Sequence, residues 1–212
     1  GMTTLTKEQS NCLLEEAFNS GCFEFYYLEL TTGLRLGEIL ALEWEDLDIK
    51  NKTLSITKQV QRIDGILQAE TPKTKNSIRT IAISSDCATA LGRLKLRQAR
   101  GTTLMFPSPE TGTYRDQNAV TRKFKRMLRR AGLPQEVRFH DLRHTCATIA
   151  LEEGVEIKAL SSMLGHSDVA FTMNTYVHAT KKLKTTAADK MEAAFQIGYS
   201  AVMDVECKLK EA

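Results

Sequence analysis

Apolar residues recur at helical spacing along most of the chain and at strand spacing in one central stretch. Leu13, Leu14, Ala17 and Phe18 form a stripe that predicts a helix over residues 6–19, with Thr6 as cap and Gln9 in a capping-box spacing. A second helix is expected over 23–32, with Phe25, Tyr26, Leu28 and Leu30 as core candidates and Gly33 as its end. Residues 36–42 read as a third, with Arg35 at its entry. Between Glu43 and Ser84 the period falls to two: residues 53–57 and 77–83 alternate, and Asp64-Gly65 is a turn signal between Ile63 and Ile66. A small antiparallel sheet of about three strands is expected there, with Trp44 as a packing residue ahead of it.

Helical spacing then returns. Ala88, Leu91, Leu94 and Leu96 mark a helix over 85–100 that Gly101 ends, and Leu104-Met105-Phe106 reads as a short buried segment. A helix from Asp116 or Gln117 to Ala131 places Ala119, Val120, Phe124, Met127 and Leu128 inward, and Gly132 and Pro134 terminate it. A helix at His140 and another over 157–164, closed by Gly165, follow. Residues 181–197 form a last amphipathic stripe through Leu183, Ala187, Met191, Ala194 and Phe195. The pattern predicts a mainly α protein with a small antiparallel β-sheet, an α+β fold.

At 212 residues the chain fits one domain, or one domain with a tail. A formal charge of +3 does not by itself name nucleic acid as a partner, but its distribution changes the picture. Arg122, Lys123, Lys125, Arg126, Arg129, Arg130 and Arg138 fall close together, opposed only by Asp116, Glu136 and Asp141. This basic segment is a candidate phosphate-binding face; a solvated helix face is the alternative. Five cysteines stand singly with no CxxC pair, which fits a reduced, cytoplasmic protein without disulfides. No apolar run approaches the ~20 residues of a membrane span, and no signal peptide opens the chain. Gly1 before Met2 reads as a tag-cleavage scar, so residues 1–5 are expected to be tag remnant and linker and the chain a fragment.

The candidate chemistry lies between His140 and Tyr176, in HDLRHTCATIALEEGVEIKALSSMLGHSDVAFTMNTY. His140 and Arg143 share a helix face at i, i+3. His166 follows Gly165, and Tyr176 lies ten positions further on. Upstream, Arg35 at a helix entry combines a guanidinium with an N-terminus, which suits a phosphate; an ion pair with Glu38 at i+3 is the bland reading. Imidazoles, guanidiniums and a phenol suit attack by the phenol on a phosphodiester, with arginines stabilising the phosphorane. No paired carboxylates or metal-ligand cluster compete with this set.

HDLRHTCAT, LGHS and NTYVHAT, in that order and preceded by TTGLRLGEILAL at residues 31–42, resemble the arginine, histidine and tyrosine motifs of the tyrosine recombinase (phage integrase) family. The likeness runs from Thr31 to Thr180 and is similar to integrases of Gram-positive phages and conjugative transposons. It implies that family's catalytic-domain fold over residues 6–180, with 181–212 as a C-terminal helix and tail that docks in cis or on a neighbouring protomer. It implies Tyr176 as nucleophile, Arg35 and Arg143 on the phosphate, His140 relaying the phenol proton and His166 bonding the phosphate. The family's hairpin-tip lysine, which protonates the leaving oxygen, maps to Lys73 in TPKTKN, with Lys75 as runner-up, and Glu38 would orient the site. His144 and His178 are neighbours. No metal or other cofactor is implied. The implied partners are double-stranded DNA and, in the full-length protein, further protomers in a tetramer on DNA. The expected function is site-specific strand exchange through a 3′-phosphotyrosyl link. The alternatives are relaxation of the type IB topoisomerase kind and a non-catalytic DNA-binding domain.

Overall fold

The computed structural model describes residues 3–72 and 77–165. Helix α2 (Phe23–Thr32) is the hub, because side chains on most of its circumference are apolar and find partners. It packs against α1 (Lys7–Asn19), α4 (Ser85–Arg97) and α6 (Asp141–Glu152). Phe25 meets Phe106 edge-on at 5.2 Å between ring centroids, and Tyr26 stacks on Phe124 at 6.0 Å. These rings are core, as the stripe predicts, and the aromatic contacts supplement the area they bury. Thr6 and Gln9 form the expected capping box: the Gln9 amide N–H donates to Thr6 Oγ1, and the Thr6 amide N–H donates to Gln9 Oε1.

The β region differs from the expected single sheet. Strands β1 (Leu47–Asp48), β2 (Thr53–Ile56) and β5 (Arg79–Ala82) form an antiparallel sheet in the order β1-β2-β5, with Leu54 opposite Ile81. Strands β3 (Gln59–Ile63) and β4 (Ile66–Glu70) pair only with each other, because β2 and β5 satisfy one another directly. The Asp64-Gly65 turn holds both residues at positive φ, 48° and 82°, the geometry that matches strand twist in a tight hairpin. The segment carrying Lys73 and Lys75 lies in sequence between β4 and β5, after the Asp64-Gly65 hairpin. Residues 73–76 themselves lie outside the described residues.

Three residues assigned to inner faces are outside: Phe18, Leu96 and Ala119. Leu96 is 87% exposed because it lies five positions beyond the buried Leu91, which turns it well away from the core. Phe18 and Ala119 each sit one residue, about 100°, from a buried neighbour. Helix α4 ends at Arg97, short of Arg100, because Gln98 turns extended. Its side chain accepts from Trp44 Nε1 at 2.8 Å and donates to Met105 O at 2.7 Å, which fixes Trp44 as a packing residue. Leu5, expected as linker, is buried and donates its amide N–H to Thr145 Oγ1 at 3.0 Å, so folded structure begins ahead of α1. No described helix is long and apolar enough to cross a membrane.

Candidate active site

Arg35 caps α3 (Leu36–Ala41) from extended backbone. Its amide N–H donates to Glu38 Oε2 at 2.9 Å and its Nη1 to Glu38 Oε1 at 3.0 Å. Glu38 is buried and cannot follow a mobile surface arginine; it fixes Arg35 instead. A second arginine, Arg79 from β5, reaches the same carboxylate with both Nη atoms at 3.0 Å. Such a two-pronged pair is short, planar and directional. Burial pushes the Glu38 carboxyl up, but Arg79, the Arg35 amide and the Arg35 guanidinium more than offset this and hold it below the usual range. The i, i+3 ion pair of Arg35 and Glu38 is real, and it leaves the Arg35 side chain 37% exposed for a further ligand.

Arg143, in the first turn of α6, is 3% exposed. Its Nη1 donates to Gly33 O and its Nη2 to Leu164 O, both at 2.7 Å. Two of its five N–H groups are thus engaged by carbonyls at the ends of α2 and α7 (Ile157–Leu164). Burial, then the neighbouring Arg35, pushes its pKa down to about 10, so it stays cationic at neutral pH. Beneath it lies Glu29, whose Oε2 is buried without a hydrogen-bond partner among the described residues. Burial drives the Glu29 pKa well above its ordinary value despite Arg143, which favours its protonated form.

His140 immediately precedes α6, and His144 stands one turn on, their rings edge to face at 4.9 Å. Partial burial lowers both pKa values; Arg143 adds to the shift at His140 and His140 to that at His144. A neutral His140 can accept a proton. Arg138 grips Asp141 through Nη2 at 2.8 Å and Nε at 3.1 Å, fixing the approach to α6. Arg35 and His140 share the wall of an open cavity of about 600 Å³ with Gln59, Gln117, Thr121 and Arg138. Arg35 also borders a cavity of about 410 Å³ lined by Thr71, Pro72 and Ser77, the residues flanking the Lys73–Lys75 segment.

The fold thus brings Arg35 together with His140 and Arg143, which lie more than a hundred positions further along the sequence. Lys73, Lys75, His166, Tyr176 and the expected helix at 181–197 lie outside the described residues. The sequence reading left out two groups. One is Arg79, although an arginine in an alternating strand is a signal. Glu29, a charge between Leu28 and Leu30, was a sign of a buried carboxyl.

The basic helix α5 (Gln117–Arg130) does not present one uniform cationic face. Lys123 Nζ donates to Ser20 O at 3.4 Å, and Arg130 pairs with Glu16 at 3.5 Å, both toward α1. Lys125 donates to Val137 O at 2.8 Å, and Arg126 lines a cavity with Cys22, Tyr26 and Glu110. Arg122 and Arg129 are exposed and make no hydrogen bond or ion pair among the described residues.

Comparison with known proteins bears on what this cluster is. The family model described as "Phage integrase family" matches residues 4–182. A "Tyrosine recombinase XerC-like" protein of Caldanaerobacter subterraneus subsp. tengcongensis is 34% identical over 191 residues, covering 80% of this chain and 49% of that protein. The ICEBs1 integrase of Bacillus subtilis is 31% identical over 178 residues, covering 79% of this chain and 48% of that protein. The chain therefore spans about half the length of the curated relatives it matches. Among solved structures, the Tn1549 transposon integrase in complex with circular intermediate DNA has a TM-score of 0.79 at 24% identity, over 90% of this chain and 67% of that one, which shows the same fold. With the motif arginines and His140 gathered on that fold and the family model spanning both, the chain belongs to the phage integrase family of tyrosine recombinases.

Proposed function

We propose that the protein is a site-specific DNA recombinase that cuts and rejoins double-stranded DNA through a 3′-phosphotyrosyl intermediate at Tyr176. The observation that carries the reading is that Arg35, anchored by buried Glu38, shares the wall of an open cavity with His140, with Arg143 held by the Gly33 carbonyl close enough for Arg35 to lower its pKa. A phosphodiester attacked by a phenol gains charge in the phosphorane, and preorganised guanidiniums stabilise that charge. Tyr176 Oη forms the new bond to phosphorus as the 5′-oxygen leaves; His140 accepts the phenol proton, His166 bonds the phosphate, and Lys73 delivers a proton to the leaving oxygen. The phosphotyrosyl bond conserves the energy of the broken one, so rejoining needs no ATP. Cationic side chains supply the electrostatics, so the reading invokes no metal or other cofactor. Residues 6–180 act as the catalytic domain, Arg122 and Arg129 meet DNA phosphates, and the full-length protein assembles on DNA as a tetramer. The matched relatives are named as recombinases and integrases, which favours strand exchange over relaxation.

A nicked suicide duplex, incubated with the chain and with Tyr176→Phe in the absence of metal and ATP, tests this. The expected result is a DNA–protein adduct on a denaturing gel from the wild type alone, with equal DNA binding by both. Binding without any adduct, across several candidate sites, would move a non-catalytic DNA-binding role to the front.

A further inference from the structure

Arg79 joins three elements around the site. Its Nη atoms hold Glu38 on α3, its Nη1 also donates to Ser77 O at 3.1 Å, and its Nε donates to Met163 O at 2.8 Å in the last turn of α7. The next carbonyl in that turn, Leu164 O, is held by Arg143. Two arginines thus cap adjacent carbonyls of one helix end, and one of them also fixes the carboxylate that orients Arg35. The side chain of Arg79 is 8% exposed, so solvent does not compete for these bonds.

We propose that Arg79 is a positioning residue for phosphoryl transfer: it sets Arg35 through Glu38 and ties α7, and with it Arg143, to the strand that carries it. This rests on the recombinase reading above. Arg35 has no other fixed anchor among the described residues than Glu38. Without Arg79, half of the cationic partners of Glu38 are gone, and its carboxylate is free to turn with Arg35. The guanidiniums would remain present but off the line of the developing phosphorane charge. A displacement of about 1 Å from a residue away from the chemistry can cost on the order of 10²-fold in rate.

The test compares single-turnover cleavage of two suicide duplexes by wild type, Arg79→Met and Arg79→Lys. One duplex carries the normal scissile phosphodiester; the other carries a methylphosphonate there, which lacks one non-bridging charge and depends less on aligned guanidiniums. Arg79→Met should slow cleavage of the phosphodiester by about 10²-fold and of the methylphosphonate by less than about 5-fold, with DNA affinity within about 3-fold of wild type. Arg79→Lys keeps a cation against Glu38 and should recover about a tenth or more of the lost rate. If Arg79→Met gives no cooperative melt, Arg79→Lys alone is compared on both duplexes, and a smaller loss confined to the phosphodiester is expected. Equal slowing on both duplexes, or none, would overturn the positioning role. Absence of any Tyr176-dependent adduct from the wild type would overturn the recombinase reading itself, and this role with it.

Discussion

Replacing Gly165 by alanine should cost more stability than its backbone conformation alone accounts for. Gly165 ends α7 at φ 69°, ψ 37°, where an L-residue loses roughly 1–2 kcal/mol. A Cβ there would lie 2.9 Å from Arg79 Nη1, 3.0 Å from Cζ and 3.1 Å from Cδ. Those atoms belong to a long side chain, but they are not free to move: Glu38, Ser77 O and Met163 O hold them. Overpacking of this kind adds about 1–3 kcal/mol, for a total of roughly 2–5 kcal/mol. Gly132 is the control, because it has φ 66° and nothing within 4 Å of its virtual Cβ. Gly132→Ala should lose only the backbone share, roughly 1–2 kcal/mol. Urea unfolding of wild type and both variants at constant m-value gives the comparison, and thermal melts should separate the two variants by about 2–4 °C per kcal/mol. In an Arg79→Met background the excess cost of Gly165→Ala should shrink, a coupling of about 0.5–3 kcal/mol. If Gly165→Ala proves no worse than Gly132→Ala, the Arg79 clamp is not rigid in solution and the reasoning fails.

The remaining predictions concern charge. Arg122→Ala with Arg129→Ala should weaken DNA binding across sequences and lower the salt slope by about 1 per residue, whereas Lys123→Ala with Arg130→Ala should change it far less; equal effects in a fluorescence titration against salt would refute the division of α5. Glu29 holds its proton in the folded chain above the ordinary value of 4.5. The native state then binds more protons than the unfolded one, and stability falls as pH rises from there through the folded pKa. Glu29→Gln removes this titration, so its urea midpoint should decline less than wild type as pH rises above 4.5, and an unchanged decline would refute the raised pKa of Glu29.

What the sequence determined by itself is the set of features fixed by near neighbours. The Thr6–Gln9 capping box, the Asp64-Gly65 turn, the amphipathic stripes and the αL glycine after α7 all depend on residues within a few positions of one another. The motif arginines and His140 were legible for a different reason: the chemistry demands those residue types in that order. What only the tertiary structure decided concerns groups whose behaviour depends on what covers them. Arg79 reaches Glu38 across 41 positions and Met163 across 84, and no local spacing announces either contact. Glu29 has its pKa raised, Arg143 is partly engaged by helix ends and α5 divides its charges between α1 and solvent because of long-range packing. Desolvation and hydrogen bonding set the state of a charged side chain, and both are supplied by elements that only folding brings together.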